Sequence, residues 1–227
     1  FGLAGGYACV IVADIVAVVM VAWGFPRRLH SNAYGDNKSK ASGDLRKVGL
    51  LAVFFFSASN AGVQTFLERI GVEGLNVSNH ALGPAMAIGA AAAVLSPFLI
   101  VFLAHKSGRL LAITMSGLLL AGCMYAVAHT TIVSVYLYGA AALMPIAVFL
   151  QPYVVGVLAT LDASGRLSAA APAVSSIGFA VAPTFAGVIA ERWGLSSVGL
   201  FSSVAMVACI VLLLKPAYAA DRRSASV

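Results

Sequence analysis

A stripe of polar side chains runs through an otherwise Phe- and Leu-rich segment around residue 60. Ser57, Asn60, Gln64 and Glu68 follow one another at spacings of three, four and four residues. These spacings place the four side chains on one side of an α-helix. Amide groups donate and accept hydrogen bonds, so Asn60 and Gln64 are candidates for binding a polar solute. The sequence equally allows a structural contact with the polar groups of another helix.

Gln151 and Tyr153 flank a proline in a second apolar segment, and both side chains can bind a solute by hydrogen bonds. Pro152 lacks a backbone N–H, so it leaves a carbonyl group of the preceding turn open to a ligand. The alternative is that Gln151 replaces the hydrogen bond that the proline removes. This segment is therefore a second candidate for the solute path. Tyr136 and Tyr138 lie at its outer end, where they are expected to be part of the interfacial aromatic belt.

Asp14 lies near the middle of the first apolar segment, where a charged side chain costs about 2.5–3.5 kcal/mol. An apolar environment favours the neutral carboxylic acid, which makes Asp14 a candidate proton site. The alternative, which the sequence favours, is a structural hydrogen bond to another helix.

Residues that ligate metals or carry out nucleophilic catalysis are scattered. The histidines lie between the apolar segments or at their ends, at His30, His80, His105 and His129. The three cysteines are far apart and have no C-x-x-C spacing. No H-E-x-x-H or P-loop pattern is present. The sequence thus predicts no catalytic site, no metal site and no cofactor, and the chain is not expected to be an enzyme.

Seven apolar segments carry these residues, and each is near or above the ~20 residues that an α-helix needs to cross a bilayer. The chain is 61% hydrophobic and 10% charged, with a mean hydropathy of +0.97. This composition excludes a water-soluble protein. We predict an all-α polytopic membrane protein with seven transmembrane helices, at Phe1–Trp23, Val48–Ile70, Ala81–Ala104, Leu110–Ala128, Val133–Leu158, Leu167–Ala190 and Leu195–Leu214.

The cationic residues predict the orientation of the chain in the membrane. Twelve of the 14 Lys and Arg residues fall in alternate gaps, which the positive-inside rule places in the cytoplasm. The membrane is expected to be the cell's inner or plasma membrane. The start of the chain is expected on its outer side and the end of the chain in the cytoplasm. The same distribution explains the net charge of +6 without nucleic acid, so the lipid bilayer is the expected partner and nucleic acid is not.

The polar gaps divide the chain into four parts. Residues 1–23 form one predicted transmembrane helix, 24–47 a cytoplasmic linker, 48–215 a six-helix bundle and 216–227 a cytoplasmic tail. An odd number of spans that starts inside an apolar segment is typical of a piece of a longer chain. Small residues four apart, such as Gly89 with Ala93 and Gly178 with Ala182, predict close approach of helix backbones.

The turn between the third and fourth segments resembles a known motif. The major facilitator superfamily (MFS) repeats a turn of the form G-x-L-a-D-R-x-G-R-R in both of its six-helix halves. The positions that match are Leu103, Ala104, Gly108 and Arg109, with Lys106 in place of an Arg. Val101 replaces the family's Gly and His105 its Asp, so the carboxylate that helps to latch the family's inward gate is absent.

Two further segments are similar to a bacterial branch of this superfamily. One is Phe66–Gly71, and the other runs from Pro152 to Gly156 and continues through Leu161–Arg166, with Asp162, Gly165 and Arg166 in a cytoplasmic loop motif. The resemblance covers nearly the whole chain. It implies that residues 1–23 are the family's sixth helix and that the later segments are helices seven to twelve. The N-terminal half of the same protein would then be a partner that this chain lacks.

The resemblance also implies a function, namely secondary transport of a small-molecule solute by alternating access. It identifies His105, Lys106, Gly108 and Arg109 as a gating turn, and it assigns the central cavity to the first, second, fourth and fifth helices of each half. This brings Asn60, Gln64 and Gln151 beside the cavity and leaves Asp14 on a peripheral helix. The alternatives are a seven-helix membrane receptor or sensor and a scaffold that does not transport.

Overall fold

The computed structural model describes residues 43–104, 109–162 and 165–224, and these residues fold into helices joined by short connections. The six long helices are α1 (Gly43–Arg69), α2 (Asn79–Ala104), α3 (Arg109–His129), α4 (Val133–Leu161), α5 (Arg166–Trp193) and α6 (Ser196–Ser224). Each is long and apolar enough to cross a membrane, so the described residues confirm an all-α fold with six helices of membrane-spanning length. The helix predicted over residues 1–23, which contains Asp14, lies outside the described residues, as does most of the predicted linker.

Two helix ends differ from the predicted segments. Helix α1 begins at Gly43, inside the predicted linker, and α6 continues to Ser224 through much of the predicted tail. Both extensions are polar, so hydropathy does not detect them. Lys, Arg and Ala are favourable in a helix, which explains why both helices continue beyond the apolar part, α6 even past Pro216.

The close contacts between helices show which ones run in the same direction. Ser57 of α1 pairs with Ser175 of α5, and further along Phe66 approaches Gly187, so α1 and α5 are parallel. Leu158 of α4 approaches Gly49 at the start of α1, whereas Tyr136 contacts its far end, so α1 and α4 are antiparallel. The six helices therefore alternate in direction along the chain, as their short connections require.

The packing relates the first three helices to the last three. Helix α1 packs mainly on α5 and α6, and α4 packs mainly on α2 and α3. Helices α3 and α6 pack on each other, and α1 meets α4. The main contacts are thus the same when α1, α2 and α3 exchange places with α4, α5 and α6, respectively. Because three is an odd number of spans, the two triplets have opposite directions, which is the pattern of an inverted repeat.

Glycines make equivalent close approaches in the two triplets, as the spacing of small residues predicts. A methyl group at Gly178 of α5 would lie 2.8 Å from the Phe54 carbonyl oxygen of α1. A methyl group at Gly89 of α2 would overlap the Ala141 carbonyl of α4. Pro145 has no N–H to bond to that carbonyl, which is therefore free to face α2. The predicted close approach at Gly89 and Gly178 is confirmed.

The two ends of the bundle differ in charge. Helices α1, α3 and α5 begin at one end, which we call the basic end, and α2, α4 and α6 finish there. Its cations among the described residues are Arg46, Lys47, Arg109, Arg166, Lys215, Arg222 and Arg223. The other end carries Arg69 and Arg192 together with three glutamates. Arg69 and Glu73 form an exposed ion pair there at 2.6 Å.

Candidate functional site

Asn60 is buried in the middle of α1, with 4% of its surface exposed. Its side-chain Nδ2 donates a hydrogen bond to the Phe56 carbonyl oxygen of the same helix at 2.8 Å. The other side-chain atom, Oδ1, is buried and has no hydrogen-bond partner among the described residues. Leaving a buried acceptor unsatisfied costs about 1–3 kcal/mol. Such an atom in a native fold calls for a ligand, a water molecule or a further polypeptide segment.

The polar stripe lies between the two sides of α1 that contact α5 and α4. Ser57 marks the side toward α5, where its hydroxyl is 2.6 Å from that of Ser175. Leu67 marks the side toward α4, through its contact with Tyr136. At about 100° per residue, Asn60 and Gln64 fall between these two sides. Helices α4 and α5 make little contact with each other, and Gln64 is exposed. The stripe therefore borders a groove between α4 and α5.

Gln151 and Tyr153 lie on different sides of α4, because residues two apart in a helix are separated by about 200°. Gln151 is exposed and is seven residues from Leu158, so it shares the side of α4 that approaches α1 at Gly49. Tyr153 is buried, and its ring packs against Phe149 with a centroid distance of 5.3 Å. The structure thus brings Gln151 toward the groove beside α1 and separates it from Tyr153.

Asp162 connects three helices at the basic end. It is buried at the end of α4, and its Oδ2 accepts a hydrogen bond from the Leu167 N–H in the first turn of α5 at 3.2 Å. Its Oδ1 lies 3.7 Å from Nη2 of Arg46 in the first turn of α1. The Gly165 N–H donates to the Asp162 carbonyl oxygen, and Gly165 has a φ of 73°, which favours glycine. Asp162 therefore fixes the connection between α4 and α5 against α1.

Two cations of the predicted cytoplasmic motifs lie at the same end of the bundle as Asp162. Arg166 is exposed, and Arg109 is the first residue of α3. His105, Lys106 and Gly108 lie outside the described residues. Sequence reasoning missed the partner that the structure gives Asp162, because Arg46 falls in the predicted linker. The available signal was the position of Arg46, a cation two residues before the apolar segment that begins at Val48.

A cavity of about 710 Å³ lies between α2, α3 and α4. Most of its wall is aliphatic or aromatic, and includes Leu95, Leu99, Leu111, Met115, Leu119 and Phe149. Two hydroxyl groups in the wall bond to backbone carbonyl oxygens, from Ser96 to Pro145 at 3.0 Å and from Ser116 to Ala112 at 2.5 Å. The wall offers a polar solute few partners. The sequence did not predict this cavity, since α2 is almost entirely apolar and the α4 residues in the wall are Pro145, Ile146 and Phe149.

No group of three His, Cys, Asp or Glu side chains lies together within residues 43–104, 109–162 and 165–224. Tyr136 was predicted to lie in the interfacial aromatic belt because it is near the end of a span. It is instead fully buried, so that prediction is wrong.

Comparison of the chain with known proteins found no matching protein family, curated protein or solved structure.

Proposed function

We propose that this chain is part of a secondary transporter that moves a small polar solute across the membrane by alternating access. The observation that carries the proposal is the buried Oδ1 of Asn60, which has no partner among the described residues. In this proposal Oδ1 accepts a hydrogen bond from the solute. Gln64, one turn further along the stripe, and Gln151, on the α1 side of α4, add amide groups to the same path.

The position of Asn60 supports a solute more than a structural role. A structural polar residue inside a membrane bundle stabilises it by bonding to a neighbouring helix. Among the described residues, the Asn60 side chain bonds to its own helix alone, at the Phe56 carbonyl oxygen. Ser57 and Ser203 show the structural pattern, since their hydroxyls contact Ser175 of α5 and the Ala121 carbonyl oxygen of α3.

The inverted relation of the two triplets also supports transport. Many secondary transporters are built from inverted repeats, with the solute near the middle of the membrane where the repeats meet. Helices α1 and α4 are the first helices of the two triplets, and they meet near the centre of this bundle. Asn60 and Gln151 lie on these two helices.

The resemblance to the MFS completes the proposal. The described bundle would be helices seven to twelve of that fold, and residues 1–23 would add a seventh span to this chain. The solute would bind between this bundle and a second bundle, and rocking of one against the other would alternate access. The positive-inside rule then orients the bundle with its basic end toward the cytoplasm. We expect liposomes that contain only these 227 residues to show no uptake.

Cysteine accessibility tests alternating access without knowledge of the solute. The complete protein, as its gene encodes it, would carry Gln64→Cys after the native cysteines are replaced by Ser. We expect a membrane-impermeant maleimide to label this variant in both right-side-out and inside-out vesicles. The control is Leu118→Cys on the exposed side of α3, which should not react from either side. Labelling of the Gln64→Cys variant from one side only, or from neither, would refute alternating access.

A further inference from the structure

The cavity between α2, α3 and α4 exists because α2 and α3 both pack on α4 and hardly touch each other. Its walls are more exposed than a protein core. Leu95, Leu99 and Met115 expose 59%, 54% and 63% of their surfaces. In a bundle that crosses a membrane, such surfaces contact acyl chains rather than water. The cavity is therefore a recess on the side of the bundle that acyl chains can reach.

The two helix sides that line this recess acquire polar groups in the same direction. On α3, Ala112 and Ser116 line the cavity, and Arg109 precedes them at the spacing that keeps it on the same side. On α4, Pro145 and Phe149 line it, and Tyr153 follows one turn later. Helix α3 begins at the basic end and α4 finishes there, so Arg109 and Tyr153 both continue the cavity toward the basic end.

Tyr153 has an unexplained polar group at this position. The side chain is 8% exposed, and its hydroxyl group is buried without a hydrogen-bond partner among the described residues. A buried phenol normally finds a partner. Phe149, against which the Tyr153 ring packs, is part of the cavity wall. The helix spacing thus places a hydroxyl group and a guanidinium group beyond the lining residues, at the end of the apolar recess that is nearer the basic end.

We propose that this recess binds an anionic phospholipid, with one acyl chain in the cavity and the phosphate group at Arg109. The Tyr153 hydroxyl then donates a hydrogen bond to an ester oxygen of the same lipid. Guanidinium and phosphate groups form charge-assisted, often bidentate, hydrogen bonds. The phosphate charge of an anionic lipid has no internal counterion, whereas the choline group of phosphatidylcholine offsets it, so Arg109 favours the anionic headgroup. The site is separate from the polar stripe of α1 and does not depend on the identity, or the existence, of a transported solute.

Native mass spectrometry of the delipidated, purified full chain tests this site. Phosphatidylglycerol and phosphatidylcholine with identical acyl chains are the two probes. We expect one phosphatidylglycerol to bind about fivefold more tightly than phosphatidylcholine, from the ~1 kcal/mol that a nearby cation contributes. Arg109→Gln should abolish this preference, because it weakens phosphatidylglycerol about fivefold more than phosphatidylcholine, whose phosphate also contacts Arg109. The matched control is Arg166→Gln, an exposed cation at the same end on α5, which should retain the preference.

Filling the cavity separates the acyl-chain site from the headgroup site. Ala92→Phe places a ring in the cavity, and it should weaken binding of both lipids by about fivefold or more. Ala91→Phe adds the same ring at an exposed neighbouring position outside the cavity wall, and it should leave both affinities within about twofold. Tyr153→Phe should weaken both lipids, since the ester groups are common to them. Equal affinity for the two lipids in the unmodified chain, or equal effects of Ala92→Phe and Ala91→Phe, would overturn the proposal.

Discussion

The hydroxyl of Tyr136 in α4 donates a hydrogen bond to the Leu67 carbonyl oxygen of α1, 69 residues earlier in the chain, at 2.5 Å. The hydroxyl oxygen also interacts with the backbone N–H of Gly71. Leu67 and Gly71 are four residues apart, so the phenol occupies the place of an ordinary helical hydrogen bond. Directly beyond Arg69, residues Ile70–Gly74 form a π-helical turn. A side chain inserted into the backbone ladder is a known cause of such local changes.

Replacing Tyr136 with Phe should therefore destabilise the bundle, because the buried Leu67 carbonyl loses its donor. We expect the free energy of unfolding to fall by about 1–2 kcal/mol. Unfolding of the purified protein in mixed micelles with increasing sodium dodecyl sulfate would measure it. Tyr138→Phe is the control, since Tyr138 is 78% exposed, and its effect should stay within about 0.5 kcal/mol. Equal effects of the two substitutions would contradict a structural role for the Tyr136 hydroxyl.

The glycine contacts give a second prediction on stability. Gly178→Ala and Gly89→Ala each place a methyl group against the backbone of a neighbouring helix, so each should cost about 1–3 kcal/mol. Gly122→Ala is the matched control within α3, because no atom lies within 4 Å of its added methyl group. There the gain in helix propensity should leave stability unchanged or raise it by up to about 1 kcal/mol. The same unfolding assay measures all three, and a neutral Gly178→Ala would rule out a close α1–α5 contact.

Asp162 should matter more as a hydrogen-bond acceptor than as an ion. Arg46 is 40% exposed and 3.7 Å away, so Arg46→Gln should cost less than about 1 kcal/mol. Asp162→Asn keeps an oxygen that can accept from the Leu167 N–H, and it should be similarly mild. Asp162→Ala removes that acceptor and should cost about 1–3 kcal/mol more. If Asp162→Asn and Asp162→Ala destabilise the bundle equally, the charge of Asp162 is the dominant contribution instead.

Apolar segment lengths and short gaps predict the six described helices and their alternation, because the bilayer imposes both. They do not predict which helices touch. Helix α2 is apolar on all sides, so its sequence carries no sign of its contact with α4 or of the cavity beside α3. The spacing of Asn60 and Gln64 correctly places them on one side of α1. Their position between α4 and α5 follows from the packing order, which a single sequence does not contain.

The same reasoning explains the error at Tyr136. A tyrosine three residues inside an apolar segment resembles an interfacial residue, and Tyr138 is exposed as such a residue should be. Burial of Tyr136 depends on Gly71, where a methyl group would lie 2.5 Å from the Tyr136 hydroxyl oxygen. Two residues that are distant in the chain determine this contact jointly, and neither residue alone predicts it.

Asn60 allows a prediction that separates function from stability. Because Oδ1 of Asn60 is buried without a partner among the described residues, Asn60→Leu should keep the free energy of unfolding unchanged or raise it by about 1 kcal/mol. The same change should abolish solute binding. The measurement is a thermal-shift screen of small polar metabolites on the complete protein, in which a bound solute raises the melting temperature. Ser59→Ala is the control, since the Ser59 hydroxyl donates to the Phe56 carbonyl oxygen of its own helix, and its thermal shift should match that of the unmodified protein. A side chain that is kept for binding a ligand often lowers the stability of the fold, so its removal should not destabilise the protein. A strongly destabilised Asn60→Leu variant, or one that still responds to the solute, would therefore show that Asn60 is a structural residue.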